Sequence, residues 1–143
     1  MKKTNKKVGV SQKAILFRGD GRILTIRRSR TAPSRPLHWD LPGGDLNFGE
    51  DTTKGIVREI KEETGLKVKD LKLIDAISGF DDRREFWVTL CYAAKPLKYK
   101  VVLSFEHDDF KWVTPDEFQK LKASPRNKNF IKNYASQQKR KRV

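Results

Sequence analysis

Residues Gly44 to Leu66 read GDLNFGEDTTKGIVREIKEETGL, and the rest of the chain is read outward from them. Asp51 or Thr52 is a good helix N-cap, and Gly65 suits the position just past a helix end. These signals predict a helix from about 52 to 64. Ile56, Val57 and Ile60 form its apolar side. Glu59, Glu62 and Glu63 stand at i, i+3 and i+4, so they share one face. Three carboxylates on one face repel each other unless something positive sits among them. A hard divalent cation is the natural partner, because Mg²⁺, for one, takes oxygen ligands and keeps waters that exchange with substrate phosphates. A merely solvated acidic face would explain the charges but not their spacing together with the glycines. Gly55 costs up to about 1 kcal/mol relative to alanine in a helix, which points to close packing of that turn against a sheet.

Upstream, MKKTNKK (1–7) reads as a frayed basic start and Val8 to Phe17 as a strand. Gly19-Asp20-Gly21 is a turn signal and Arg22 to Arg27 is rich in β-formers, so 8–27 reads as a hairpin. Ser29 to Pro36 is an exposed loop. His38 to Pro42 is too short for a helix and leads into Gly43-Gly44, where the backbone must turn tightly or approach something closely. Downstream, Val68 to Ile77 reads as a strand and Ser78 to Arg83 as a loop. Arg84 to Ala94 (REFWVTLCYAA) is a central strand, aromatic, β-branched and almost uncharged. Val101 to Leu103 and Asp109 to Val113 are short strands. Thr114-Pro115 opens a helix to about Ala123, and a last helix spans about 127 to 138. Strands, helix, strands, helices is the order of a mixed sheet with helices on its faces, an α/β fold.

The chain of 143 residues is expected to be one domain over 8–135, with basic extensions at 1–7 and 136–143. The formal charge of +14 belongs mainly to the ends. Residues 1–7 hold four lysines and residues 120–143 nine Lys or Arg, with no acid in either. The body between has 19 basic residues against 18 acidic, so it is nearly neutral. Basic ends attract nucleic acid without regard to sequence, or simply aid solubility. No apolar run is long enough to span a bilayer and no secretory segment is visible. A single cysteine, Cys91 in an apolar strand, excludes an internal disulfide and fits a reducing compartment. The expected setting is cytoplasmic, as a monomer or homodimer.

Gly44, Glu50, Arg58-Glu59-Ile60, Glu62-Glu63 and Gly65-Leu66 resemble the Nudix box, G-x5-E-x7-R-E-U-x-E-E-x-G-U with U aliphatic. All nine constrained positions match, and fixed spacing over so many positions makes the signal specific. A weaker resemblance extends from the N-terminal strands to Trp112. It implies a Nudix fold, an α/β/α sandwich with a central mixed β-sheet. It also implies a loop-helix-loop that holds Mg²⁺, or Mn²⁺ in its place, on a nucleoside diphosphate derivative. Carried over by position, Glu59, Glu62 and Glu63 are the metal carboxylates and the Gly43 carbonyl a further ligand. Arg58 and Glu50 pair and orient the glutamates. Gly44 and Gly65 support the motif.

The activity the resemblance implies is hydrolysis of a diphosphate linkage, with (d)NTPs the leading substrates. ADP-ribose or nucleotide sugars, dinucleoside polyphosphates and RNA 5′ ends are alternatives, and so is a non-enzymatic regulator that binds nucleotide or RNA. The resemblance implies a base that is either a glutamate of the box or one from a distant loop. The distant candidate is Glu106, for a metal or base role, since SFEHDDFKW resembles an E-H-x4-W stretch of Nudix hydrolases that use its glutamate near the metal. Asp108 and Asp109 are rivals, and His107 reads as a loop histidine because Mg²⁺ prefers oxygen. For substrate binding the candidates are Arg28, whose fork suits phosphate, with Trp39, Phe80 and Arg84 to stack on or pair with a base or phosphate. Trp112 reads as core.

Overall fold

The computed structural model describes residues 6–141. In chain order the elements are β1 (Val8–Leu16), β2 (Ile23–Arg28), β3 (Trp39–Asp40), β4 (Gly43–Asp45), α1 (Thr52–Thr64), β5 (Val68–Phe80), β6 (Phe86–Pro96), β7 (His107–Val113), α2 (Pro115–Gln119) and α3 (Pro125–Lys141). They form a four-stranded sheet, β4-β1-β6-β5, and a three-stranded sheet, β3-β2-β7. β1 and β6 run parallel over nine residue pairs while the other pairings are antiparallel, so the larger sheet is mixed and β6 is internal.

The alternation of β1 builds the layers. Ile15 joins Cys91 and Ala93 against Phe130, Ile131 and Tyr134 of α3 on one face. Ala14 and Leu16 join Tyr92 and Ala94 against Ile56 and Ile60 of α1 and Leu24 and Ile26 of β2 on the other. Helices therefore cover both faces, the α/β/α arrangement expected. Ile56 and Ile60 are fully buried, each contributing about 1.5–3 kcal/mol. Cys91 is fully buried among apolar groups, and burial pushes its thiol pKa up. Trp112 is half-buried against the α1-side core, edge-on to Tyr99 and under Arg18.

The hairpin expected over 8–27 is not formed. The turn is present, with Arg18 N–H donating to Arg22 O and a single bridge between Phe17 and Ile23. The strands then part into different sheets. Both edges of β1 are occupied, by β4 and β6, so β2 has no place beside it. Val101–Leu103 is not a strand either. That segment folds over the end of α1, where Val102 N–H donates to Thr64 O at 2.9 Å, satisfying a carbonyl the helix leaves free. α2 stops at Gln119 rather than Ala123, because the following chain turns to give Lys122 O to Trp39 N–H. β6 starts two residues later than expected and β5 runs on to Phe80. α3 starts at Pro125, two residues earlier than expected, and continues to Lys141, past the expected end near 138, so part of the basic tail expected over 136–143 is helical. Residues 1–5 and 142–143 of the basic ends lie outside the described residues. Among the described residues no helix is long and apolar enough to cross a membrane.

Candidate active site

α1 is positioned by its ends. The Asp51 carboxylate accepts from Lys54 N–H at 2.9 Å, and Gly65, at φ 72°, returns its N–H to Lys61 O. Gly55 lets the first turn sit on the sheet: an added Cβ would lie 2.9 Å from Gln12 Oε1 and 3.1 Å from the Glu50 carboxylate. Arg58 then gathers three acids. Its guanidinium donates to Glu50 at 2.8 and 3.1 Å, to Glu59 at 3.2 Å and to Glu62 at 3.1 Å. The bidentate hold on Glu50 ties the loop before α1 to the helix and lowers the Glu50 pKa.

Glu59 and Glu63 face β4. Gly44 lies so close that a Cβ there would be 2.8 Å from the Glu59 carboxylate. Gly43, at φ 143°, has no room for a side chain against the Gln12 backbone and donates its N–H to Glu63 Oε1 at 2.7 Å. Burial raises the pKa of both glutamates, against the attraction of Arg58 for Glu59 and of Lys13 for Glu63. Glu63, only 7% exposed, is pushed up to about 8. Glu62 is the exposed member.

Across the cleft, Glu106 and His107 bring donor atoms to within 4.8 Å of each other and of Glu63. His107 is a buried strand residue rather than a loop histidine. Burial lowers its pKa to about 4, so its ring is neutral and its Nδ1, 3.9 Å from Glu63 Oε2, makes no ion pair there. That Nδ1 has no hydrogen-bond partner. Asp108 and Asp109 do not join the group: Asp108 pairs with Arg27 at 2.8 Å, and Asp109 accepts from Phe110 N–H. A cleft of about 1150 Å³ runs past these residues and is lined by Gly43, Gly44, Glu59, Glu62, Glu63 and Glu106. Converging carboxylates, one of them buried with no cation bonded to it, are a donor set that fits a hard divalent ion.

Arg28, Trp39 and Phe80 line the same cleft. Arg28 donates to Ser34 O at 2.9 Å and reaches Asp40 at 3.5 Å. Trp39 is buried, with Arg27 and Lys111 over its ring. Phe80 is 73% exposed and packs on Phe86. Arg84 is not in the cleft. It sits at φ 62° in a turn held by the Asp81 carboxylate, which accepts from Arg83 and Glu85 N–H, and that turn aims its neighbours inward instead.

The floor of the cleft holds residues that motif reading missed. Asp40 is buried and accepts from Lys13 Nζ at 3.1 Å, Asn127 Nδ2 at 2.8 Å and Leu41 N–H at 2.8 Å. Burial alone would raise its pKa, but Lys13 and Arg126 more than offset that and hold it down at about 2. A lysine inside the buried run of β1 was the visible signal: it needs an acid, and only folding shows which one.

The family model described as NUDIX domain matches residues 7–134. A MutT-like protein of Streptomyces ambofaciens is 35% identical over 109 residues, 76% of this chain and 65% of that protein. An RNA pyrophosphohydrolase of Caulobacter vibrioides is 39% identical over 75 residues, 52% of this chain and 37% of its own length. The chain therefore spans only part of both. A putative 8-oxo-dGTP diphosphatase 2 of Mycobacterium tuberculosis is 29% identical over 119 residues, 79% of each. The crystal structure of a MutT protein from Methanosarcina mazei Go1 has the same fold, with a TM-score of 0.82 at 24% identity over 96% of this chain and 99% of that one. The box spacing, the acids around α1 and these likenesses agree, and the chain belongs to the Nudix hydrolase family.

Proposed function

We propose that the protein is a Mg²⁺-dependent pyrophosphohydrolase that cleaves the diphosphate linkage of a nucleoside diphosphate derivative, with nucleoside triphosphates as the leading substrates. The observation that carries this reading is the convergence of Glu63, Glu59 and Glu106 on one cleft, with Glu63 buried against Gly43 and no cation bonded to it. A bound Mg²⁺, or Mn²⁺ in its place, would screen the phosphate oxygens and acidify a water. Glu59, Glu62, Glu63 and the Gly43 carbonyl would hold it. Arg58 keeps Glu59 and Glu62 turned to one side, and Glu50 fixes Arg58. Glu106 has no side-chain partner among the described residues, so its carboxylate is free to take the proton of the attacking water or to join the ligand set. Arg28 adds a positive charge at the cleft for the substrate phosphates.

The names of the Streptomyces, Caulobacter and Mycobacterium relatives support a phosphoanhydride of nucleotide type. The test is a panel of (d)NTPs, ADP-ribose, nucleotide sugars and dinucleoside polyphosphates with Mg²⁺ or Mn²⁺. Turnover of one class, lost in Glu62→Gln or Glu63→Gln with the fold intact, is the expected result; an untouched panel contradicts the reading. One observation favours a second substrate, an RNA 5′ end. The last turn of α3 carries Lys139, Arg140 and Lys141, and a basic end suits a polynucleotide. Cleavage of 5′-triphosphorylated RNA that outpaces NTP cleavage and weakens steeply with salt would make RNA the substrate.

A further inference from the structure

The cleft has a second end. Thr89 of β6 is in register with Ser11 of β1, and Ser11 with Asp45 of β4. Two strand spacings, ~10 Å, separate Thr89 from the edge that carries Gly43 and Gly44. At Thr89 stands Arg126, from the first turn of α3. Its Nη1 donates to Thr89 Oγ1 at 3.4 Å and its Nε to Asn127 Oδ1 at 3.3 Å. Both bonds are long, the Thr89 hydroxyl is already shared with Ser11 at 2.7 Å, and Arg126 joins no ion pair among the described residues. Asp40, whose charge reaches it, is bound to Lys13 and Asn127. A partly buried guanidinium, which can only donate, is thus left with most of its donors unused at the cleft floor. One aromatic wall flanks the cleft there: Trp87, two residues before Thr89 on the same face of β6, whose ring packs so closely on Gly9 that an added Cβ would lie 2.5 Å from it.

We propose that Arg126 selects the base of the bound nucleotide and favours guanine, whose O6 and N7 present two adjacent acceptors to a guanidinium fork. This rests on the nucleotide reading of the same cleft. With the phosphates at the acidic end, the base is the part of a nucleotide that reaches Arg126 and the Trp87 wall. Adenine puts an amino donor where guanine has O6, and 8-oxoguanine carries a hydrogen on N7; both set a donor against a donor. A good bidentate contact of this kind separates bases by about tenfold or more. Unmodified guanine is therefore preferred over 8-oxoguanine, the base in the name of the Mycobacterium relative.

The test is calorimetric binding of dGTP, dATP and 8-oxo-dGTP with Ca²⁺ in place of Mg²⁺, which reads the base without needing turnover. Wild type should bind dGTP about tenfold more tightly than the other two. Arg126→Gln, with one donor and one acceptor matched to adenine N6 and N7, should move the preference to dATP. Arg126→Lys keeps the charge without the fork and should lose guanine preference without gaining adenine. Thermal melts of each variant check folding. Equal affinity of wild type for all three nucleotides, or uniform weakening in both variants, overturns the inference even if the panel is hydrolysed. The predicted preferences without hydrolysis overturn the proposed reaction and leave this inference standing. No binding of any of the three overturns both.

Discussion

Replacing Glu63 by glutamine should stabilise the metal-free protein at high pH while abolishing metal binding. The folded pKa of Glu63 is about 8 against an ordinary 4.5, and burial is the main cause. Between those pH values the native state holds a proton that the unfolded chain has lost, so stability falls as pH rises through the window. At one pKa unit per 1.36 kcal/mol, the difference amounts to about 4 kcal/mol between pH 5 and pH 9. The amide never ionises and keeps an acceptor for Gly43 N–H, so the variant escapes this loss. Thermal melts with chelator should therefore nearly coincide at pH 5 and separate by roughly 10 °C or more at pH 9, the variant melting higher. Added Mg²⁺ should raise the wild-type melting temperature at pH 8 and leave the variant unmoved, because a divalent ion takes the place of the proton on Glu63. A melting difference that does not change with pH, or a variant that melts lower at pH 9, refutes the claim that burial at Glu63 outweighs the Lys13 attraction and the Gly43 hydrogen bond.

Three further outcomes follow from neighbouring groups. Arg58→Gln removes the hold on Glu50, Glu59 and Glu62; metal affinity or turnover should fall about 10–100-fold, read by Mg²⁺ titration of activity, and an unchanged titration would remove Arg58 from its orienting role. Gly44→Ala places a Cβ 2.8 Å from the Glu59 carboxylate, the far end of a flexible side chain; the fold should survive by far-ultraviolet dichroism while turnover drops at least tenfold, and full activity would show that Glu59 can shift without cost. Asp40→Asn leaves Lys13 buried without its anion, at a cost of about 3–5 kcal/mol near neutral pH. The folded Asp40 pKa of about 2 lies below the ordinary 3.8, so the wild-type advantage is present above pH 3.8 and lost as pH falls through 2. Denaturant titrations at pH 7 and pH 2.5 should show the gap narrowing on acidification; an equal gap at both would assign the loss to packing.

What could be read from the sequence was what is local. The acids of α1 follow from i, i+3, i+4 spacing between an N-cap at Asp51 and a left-handed Gly65, and the structure has that helix at the residues expected. The fold class followed from element order. Partner choice did not. The turn at Gly19–Gly21 forms as a hairpin signal would have it, but whether β1 keeps β2 beside it depends on β4 and β6, which lie far along the chain. Arg84 was expected to contact a base or phosphate, yet the Asp81 turn takes it out of β6 and the cleft is lined by its neighbours instead. The Lys13–Asp40–Asn127 network joins residues 27 and 87 positions apart. No periodicity announces such a contact, only a lysine where the pattern called for an apolar side chain.

The most direct test of the central claim is the fate of the phosphoanhydride in ¹⁸O-labelled water. With Mg²⁺ present, phosphorus resonance and mass spectrometry of products should show one nucleotide class split into two phosphate-bearing fragments. One of them should carry the label, and the reaction should stop on chelation. Turnover that persists in chelator, or a full nucleotide panel left intact by protein that binds Mg²⁺, would contradict the account.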